Sequence, residues 1–238
     1  ACRHRAGAPR VSALEGRTRF PNVFVLCTGR CGSLTFTQAC AAAVENYTCG
    51  HETNLAETGA ERLAYADGHI EIDNRLAWFL GRLGERDGDP AFYVHLVRDR
   101  EATARSYARR RALGFLLHAW IRGIHVGLED QPDHLALARD LVDTVNANIR
   151  QFLGGKAHVM RVRLEEAAED FAVFHERIGA LGDVAAGCRA FDRRYNATAT
   201  SALPPAERGA PAAGFPANAP LPEYVRGMMT RRLPGRRD

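Results

Sequence analysis

The sequence predicts a three-layer α/β chain, with a central parallel sheet and helices on both faces. Three stretches predict it. Val23-Phe24-Val25-Leu26-Cys27-Thr28 and Ala91-Phe92-Tyr93-Val94-His95-Leu96-Val97 are nearly unbroken apolar runs, the form taken by strands buried on both sides. Each is followed at once by a helical pattern. A third run, Ala157-His158-Val159-Met160-Arg161-Val162-Arg163-Leu164, leads through Glu165-Glu166 into another helix. Strands alternating with helices in this way cannot be joined as hairpins and call for crossovers in a parallel sheet.

The elements follow in order. Residues 1–19 are polar and irregular. A first strand is expected over 22–28. A helix is expected over 33–46, because Phe36, Cys40, Ala43, Val44 and Tyr47 recur at helical spacing. A short strand is expected at 47–50. Residues 55–63 allow a helix that His51 and Glu52 would cap. Leu76, Phe79, Leu80 and Leu83 predict a helix over 74–83. After the strand at 91–97, Asp99 is a good N-cap for a helix over 100–111. Leu113, Leu116, Leu117, Trp120, Ile121 and Ile124 form an amphipathic stripe. The clearest helix is 133–153, with Ala138, Leu141, Val142, Val145, Ile149, Phe152 and Leu153 on one side and Gly154-Gly155 at its end. Phe171, Phe174, Ile178 and Leu181 mark a last helix over 168–181, stopped by Gly182. From 199 to 238 the chain is rich in Ala, Pro and Gly and reads as an extended tail. The folded unit is therefore expected over 20–198.

Composition sets bounds. A chain of 238 residues is long enough for one domain with a proper core. No apolar run reaches the length of a membrane span, and no signal peptide is visible, so a cytoplasmic protein is expected. The chain starts at Ala1, which leaves room for an upstream segment. A formal net charge of +4 is too small to point to a polyanionic partner. Arg109-Arg110-Arg111 has no aromatic interleaving, so it reads as a solvated helix face and not a nucleic-acid contact. Cys2, Cys27, Cys31, Cys40, Cys49 and Cys188 show no metal spacing, and buried free thiols are expected of Cys27 and Cys40. No metal site is expected. Asn46-Tyr47-Thr48 and Asn196-Ala197-Thr198 match the glycosylation pattern, which is too short to carry weight alone.

Two segments carry chemistry. In Thr28-Gly29-Arg30-Cys31-Gly32-Ser33-Leu34-Thr35 a strand turns sharply into a helix. The free N–H groups and positive dipole end of such a helix bind an anion. Gly29 and Gly32 permit the tight turn, Arg30 offers a phosphate fork, and Ser33 and Thr35 offer hydroxyls. A glycine turn without a ligand is the plain alternative. It is not a Walker A loop, since the glycines are too close together and Lys156, the only lysine, is far away. It is not a dinucleotide fingerprint either, because G-x-G-x-x-G is missing. In the second segment Arg98 emerges at the carboxyl end of a buried strand, where open α/β sheets bind ligands. Ser106 follows eight residues later, close to two helical turns of about 3.6 residues each. One turn holding one phosphate and an Arg–Ser pair holding another suit a cofactor with two separated phosphates. A surface ion pair with a solvated serine is the plain reading of the second segment.

Together these segments resemble the sulfotransferase family. The first is similar to its 5'-phosphosulfate loop, in the arginine-bearing form of carbohydrate and bacterial members; the cytosolic enzymes have lysine where Arg30 stands. The second is similar to its 3'-phosphate strand and helix, with the same spacing from Arg98 to Ser106. Residues 157–166 resemble its later strand and acidic helix start. The resemblance covers residues 20–195 and is loose outside the two phosphate segments. It implies a P-loop-like version of the three-layer fold and the sulfuryl donor 3'-phosphoadenylyl sulfate (PAPS). Residues 28–35 would hold the 5'-phosphosulfate and Arg98 with Ser106 the 3'-phosphate. Leu34 departs from the pattern, which often has a second hydroxyl there, and no C-terminal R-K-G segment is visible.

Sulfuryl transfer to a hydroxyl needs a base beside the acceptor oxygen and positive charge beside the leaving phosphate. Arg30 would supply the charge. His51 and Glu52 fall just after the second strand, at the same sheet edge, and either can be the base. Glu52 is preferred, because Cys49-Gly50-His51-Glu52 resembles a glutamate-bearing bacterial segment. His95 reads as a hydrogen-bonded core histidine, and Asp73 and Asn74 read as helix caps that could also face the acceptor. The expected function is in-line transfer from PAPS to a hydroxyl or amine of an unidentified small-molecule or carbohydrate acceptor. The alternative is a non-catalytic nucleotide-phosphate binder of the same fold. Phosphoryl transfer is a weaker third reading, for want of the loop lysine and a magnesium site.

Overall fold

The computed structural model describes residues 18–109, 115–125 and 133–192. The expectations for residues 1–17, Arg110-Arg111, Leu113, Asn196 and the tail at 199–238 lie outside the described residues.

Five strands form one all-parallel sheet. They are β1 (Asn22–Cys27), β2 (Thr48–His51), β3 (His69–Ile72), β4 (Phe92–Val97) and β5 (Val159–Arg163), in the order β2-β3-β1-β4-β5. β1 is central and buried along its whole length. Val23 lies between Ile70 and Phe92, and Val25 between Ile72 and Val94. The chain leaves β1 toward one side, through β2 and β3, then crosses to the other for β4 and β5. The strand order therefore reverses beside β1, which is where ligands bind in open parallel sheets.

Helices cover both faces. α1 (Ser33–Ala43), α6 (Ala167–Arg177) and α7 (Val184–Arg189) close one of them. There Phe36, Ala39, Cys40, Phe171, Phe174 and Ile178 pack on Val23, Val25, Ile70, Ile72, Val94 and Val162. On the other face lie α2 (Leu80–Arg86), α3 (Arg100–Arg109), α4 (Phe115–Ala119) and α5 (His134–Leu153). Their core includes Leu83, Ala104, Leu117, Leu141, Val142, Val145 and Ile149 against Phe24, Leu26 and Tyr93. α5 starts where expected: Asp133 accepts from the N–H groups of Leu135 and Ala136, each at 3.0 Å. Asp99 likewise accepts from the Ala102 N–H at 2.7 Å and caps α3.

Several expectations change. Residues 74–83 are not one helix: Asn74–Trp78 is a 3₁₀ turn and α2 begins only at Leu80. Asp73 sets this, since its side chain accepts from the Arg75 N–H at 2.7 Å and tightens the first turn. At 55–63 only a 3₁₀ turn forms, Gly59–Leu63. Past α4 the chain widens into one π turn, Trp120–Ile124. β3 and α7 had no counterpart among the expected elements. Cys27, Cys31 and Cys40 are buried free thiols and Cys49 and Cys188 are also free. Asn46 is only 3% exposed, and its amide is spent on Gly179 O (3.1 Å) and the Leu181 N–H (2.8 Å), so it is no glycan acceptor in this fold. His95 is a core histidine as expected, 2.9 Å from Asn146 Oδ1, and burial lowers its pKa. Among the described residues no helix is long and apolar enough to cross a membrane.

Candidate functional site

The site is the carboxyl edge of the sheet around β1. The turn from β1 into α1 has three left-handed residues, Gly29 (φ 78°), Arg30 (φ 59°) and Gly32 (φ 92°). Gly29 tolerates no side chain: a Cβ there would lie 2.5 Å from the Tyr107 hydroxyl, with Asn74 close behind. A Cβ on Gly32 would run into Leu164. Arg30 takes the left-handed shape without the glycine excuse, as residues at functional turns do. Thr28 is buried. Its hydroxyl donates to Gly29 O at 2.9 Å, and its carbonyl accepts from the Tyr107 hydroxyl. α1 then opens with no side-chain cap from Gly32 and no acidic residue in its first turn.

The loop and the second segment meet directly. Arg30 Nε donates to Ser106 Oγ at 3.1 Å, and Arg98 Nη1 donates to Arg30 O at 3.2 Å. Ser106 is 5% exposed, while Arg30 and Arg98 are half-buried. β4 ends on Val97, Arg98 leaves the sheet edge, and α3 carries Ser106 to the Arg30 side chain. Asp99 adds a tie across the sheet, its N–H donating to Glu165 Oε1 at 2.8 Å. The two expected anion sites are thus joined through Arg30.

Not every loop residue faces outward. Cys31 points into the core against Cys27. The Cys27 thiol, donating to Cys31 in a buried setting, has its pKa pushed up. Cys31 is held lower, first by that hydrogen bond and then by the Gly29 N–H. Cys31 can offer a ligand only its main chain. Thr35 is 7% exposed, and Leu34 is half-buried. Ser33 is half-buried and its Oγ lies 3.2 Å from His51 Nε2.

On the β2–β3 side, His51 ends β2 and faces α1, whereas Glu52 turns away in a left-handed conformation (φ 55°). Glu52 Oε1 accepts from Asn74 Nδ2 at 2.8 Å and lies 2.6 Å from Arg75 Nη1. Asn74 is the bridge between regions, since it also borders Gly29. The carboxylate is therefore within one side chain of the loop. Asp73 is fully buried and ion-paired with Arg62; burial still outweighs the pair and raises its pKa. Asp73 is thus a cap, as its sequence suggested, and in addition a buried charge paired with Arg62. Asn74 is not a cap: it holds Glu52. Sequence reasoning missed Arg75 and Tyr107. Arg75 is linked to Glu52 only through the β2–β3 register, and Tyr107 has the pattern of an ordinary core residue of α3.

Comparison with protein-family models, with curated proteins and with solved structures finds no match. Among the described residues no group of His, Cys, Asp and Glu side chains is placed to hold a metal ion.

Proposed function

We propose that this chain is a sulfotransferase that moves a sulfuryl group from PAPS to a hydroxyl of a small-molecule or carbohydrate acceptor. The reading goes with a P-loop-like form of the three-layer fold. The observation that carries it is the meeting of Arg30, Arg98 and Ser106 beside the start of α1, at the edge where the strand order reverses. Two guanidinium groups, a hydroxyl and a positive helix end suit an anionic nucleotide. PAPS, when bound, supplies a sulfuryl group already activated by its bond to phosphate. The α1 N–H groups and Arg30 then face the charge that grows on the departing phosphate oxygen. Arg98 and Ser106 fix the 3'-phosphate. Glu52 takes the acceptor's proton. Asn74 and Arg75 hold the carboxylate through Oε1. His51 orients the Ser33 hydroxyl at the helix start.

A second reading is a protein of the same fold that binds a nucleotide phosphate and transfers nothing. Leu34 favours it, since it stands where a second hydroxyl of the loop is often found. Incubation with PAPS and a panel of simple sugar and phenol hydroxyls separates the two. Acceptor-dependent release of 3',5'-adenosine bisphosphate supports transfer. Tight bisphosphate binding with no release supports the binder.

A further inference from the structure

The least expected group near the site is Glu71. It sits inside β3, fully buried, and the chemistry above does not use it. A buried carboxylate is costly unless every lone pair is answered, so its partners show what holds it. His69 Nε2 lies 2.9 Å from Oε2, and the Thr53 N–H donates to Oε1 at 2.9 Å. His69 Nδ1 in turn lies 2.8 Å from Thr48 Oγ1, and the His69 ring stacks on Tyr65. The chain Thr48–His69–Glu71–Thr53 therefore starts at the first residue of β2 and returns just past its end. Gly50 lies under it. A Cβ there would stand 3.0 Å from His69 Cε1 and 3.1 Å from Glu71 Oε2, and would strike Thr53 Oγ1.

What the clamp encloses is the left-handed Glu52. Its own N–H donates to Ile72 O at 3.2 Å, and its carbonyl accepts from the Leu55 N–H at 3.2 Å. The next N–H, that of Thr53, turns inward onto Glu71. A non-glycine residue keeps a positive φ only where its surroundings over-determine it. Here the over-determining contact on the far side of Glu52 is a buried charge. With Asn74 and Arg75 holding Oε1 from the front, the carboxylate is fixed in direction at both ends.

We propose that Glu71 is the positioning residue for Glu52, acting through the Thr53 N–H and backed by His69 and Thr48. The proposal rests on the reading of Glu52 as the base. Misplacing a catalytic group by about 1 Å can cost about a hundredfold in rate, while a phosphate site elsewhere is untouched.

The test compares Glu71→Ala and Glu71→Gln in the full chain. Three quantities are read: bisphosphate release from PAPS with the acceptor panel, bisphosphate affinity by calorimetry, and protection of the Thr53 amide by hydrogen exchange. Glu71→Ala is expected to lower kcat by about tenfold or more, to leave bisphosphate affinity within about twofold, and to expose the Thr53 amide. Glu71→Gln keeps an acceptor for the Thr53 N–H and is expected to recover most of the rate, which general destabilisation would not predict. Wild-type kcat in Glu71→Ala, or an amide as protected as before, overturns the proposal alone. A wild-type protein that binds the bisphosphate but releases none from PAPS sinks the sulfotransferase reading, and this inference with it. Should Glu71→Ala fail to fold, Thr48→Val removes the outer hydrogen bond. It is expected to lower kcat by about threefold with unchanged bisphosphate affinity, and an unchanged kcat overturns the proposal.

Discussion

On one side of β1 the sheet edge carries Arg30 and Arg98, and the contacts of their Nε and Nη1 atoms run to a hydroxyl and a main-chain carbonyl. On the other side it carries Glu52, Glu71 and Asp73, each answered by a cation, a histidine or an N–H group. The first side is built from half-buried contacts of 3.1 and 3.2 Å around a turn with three left-handed residues. The second is a network in which two carboxylates are wholly buried. A hydroxyl or carbonyl gives up an arginine to a phosphate at little cost. A buried carboxylate does not release its partners without leaving a charge unpaired. The first side is thus suited to exchange its contacts for a ligand, and the second to hold one geometry.

The sharpest way to break this contrast is to change one residue on the rigid side. Glu52→Gln keeps the shape but cannot accept a proton. It is expected to lower kcat by about 10²–10⁴-fold with little change in bisphosphate affinity. His51→Ala is expected to cost less, because its ring contacts Ser33 and not the Asn74–Arg75 pair. A dead His51 variant beside a normal Glu52→Gln variant reverses the two roles. Normal turnover in both moves the base elsewhere.

Arg30→Ala attacks the exchangeable side. Truncating a buried, hydrogen-bonded charge costs about 2–5 kcal/mol, and the half-buried Arg30 is expected near the lower end, read as weaker bisphosphate binding by calorimetry. Unchanged affinity removes the loop from the site. Arg98→Ala is expected to cost about 1.5–3 kcal/mol, the range for a hydrogen bond to a charged group. The loss is expected for PAPS and not for adenosine 5'-phosphosulfate, which has no 3'-phosphate. Equal losses for both ligands would place Arg98 elsewhere. That outcome has a structural route, because Arg98 also holds the Arg30 carbonyl and could act through the loop.

The same contrast explains what was legible in the sequence. β1 and β4 are buried on both faces by apolar residues alone, so they stand out as runs, and the turn and the arginine that follow them stand out too. β3 is just as buried, but half of its inward residues are His69 and Glu71. Four residues with a charge inside read as loop, because a single sequence does not show that a histidine and an amide will satisfy the carboxylate. The partners of Glu52 were hidden for the same reason. Asn74 and Arg75 follow β3 and meet Glu52 only once β3 pairs with β2. The break between Asn74–Trp78 and α2 was masked by an apolar spacing that suits either one helix or two short turns. The six residues of α7 were too few to show a period.

The smallest expected effect tests the rigid side by acid. Glu71 lies inside β3 and Asp73 just past its end, yet their pKa values move in opposite directions. Burial alone would raise Glu71, but the hydrogen bonds from His69 and Thr53 outweigh it and its pKa is lowered. For Asp73 burial wins over Arg62 and the pKa is raised. Unfolded chains titrate these groups near about 4.3 and about 3.9. As pH falls, Asp73 takes its proton in the fold before the unfolded chain does, so stability rises down to about pH 3.9 on its account. Glu71 does the reverse. The unfolded chain takes its proton first, and the stability it contributes above about pH 4.3 is lost as pH falls through the lower folded value. Urea unfolding of the wild type and Glu71→Gln, run from about pH 6 to about pH 3, isolates the second contribution. His95, whose lowered pKa costs stability as pH falls through about 6.5, is common to both proteins and cancels. The wild-type advantage is expected to shrink in the most acid part of the range. An advantage that stays constant to the acid end would mean that His69 and Thr53 do not hold the Glu71 charge.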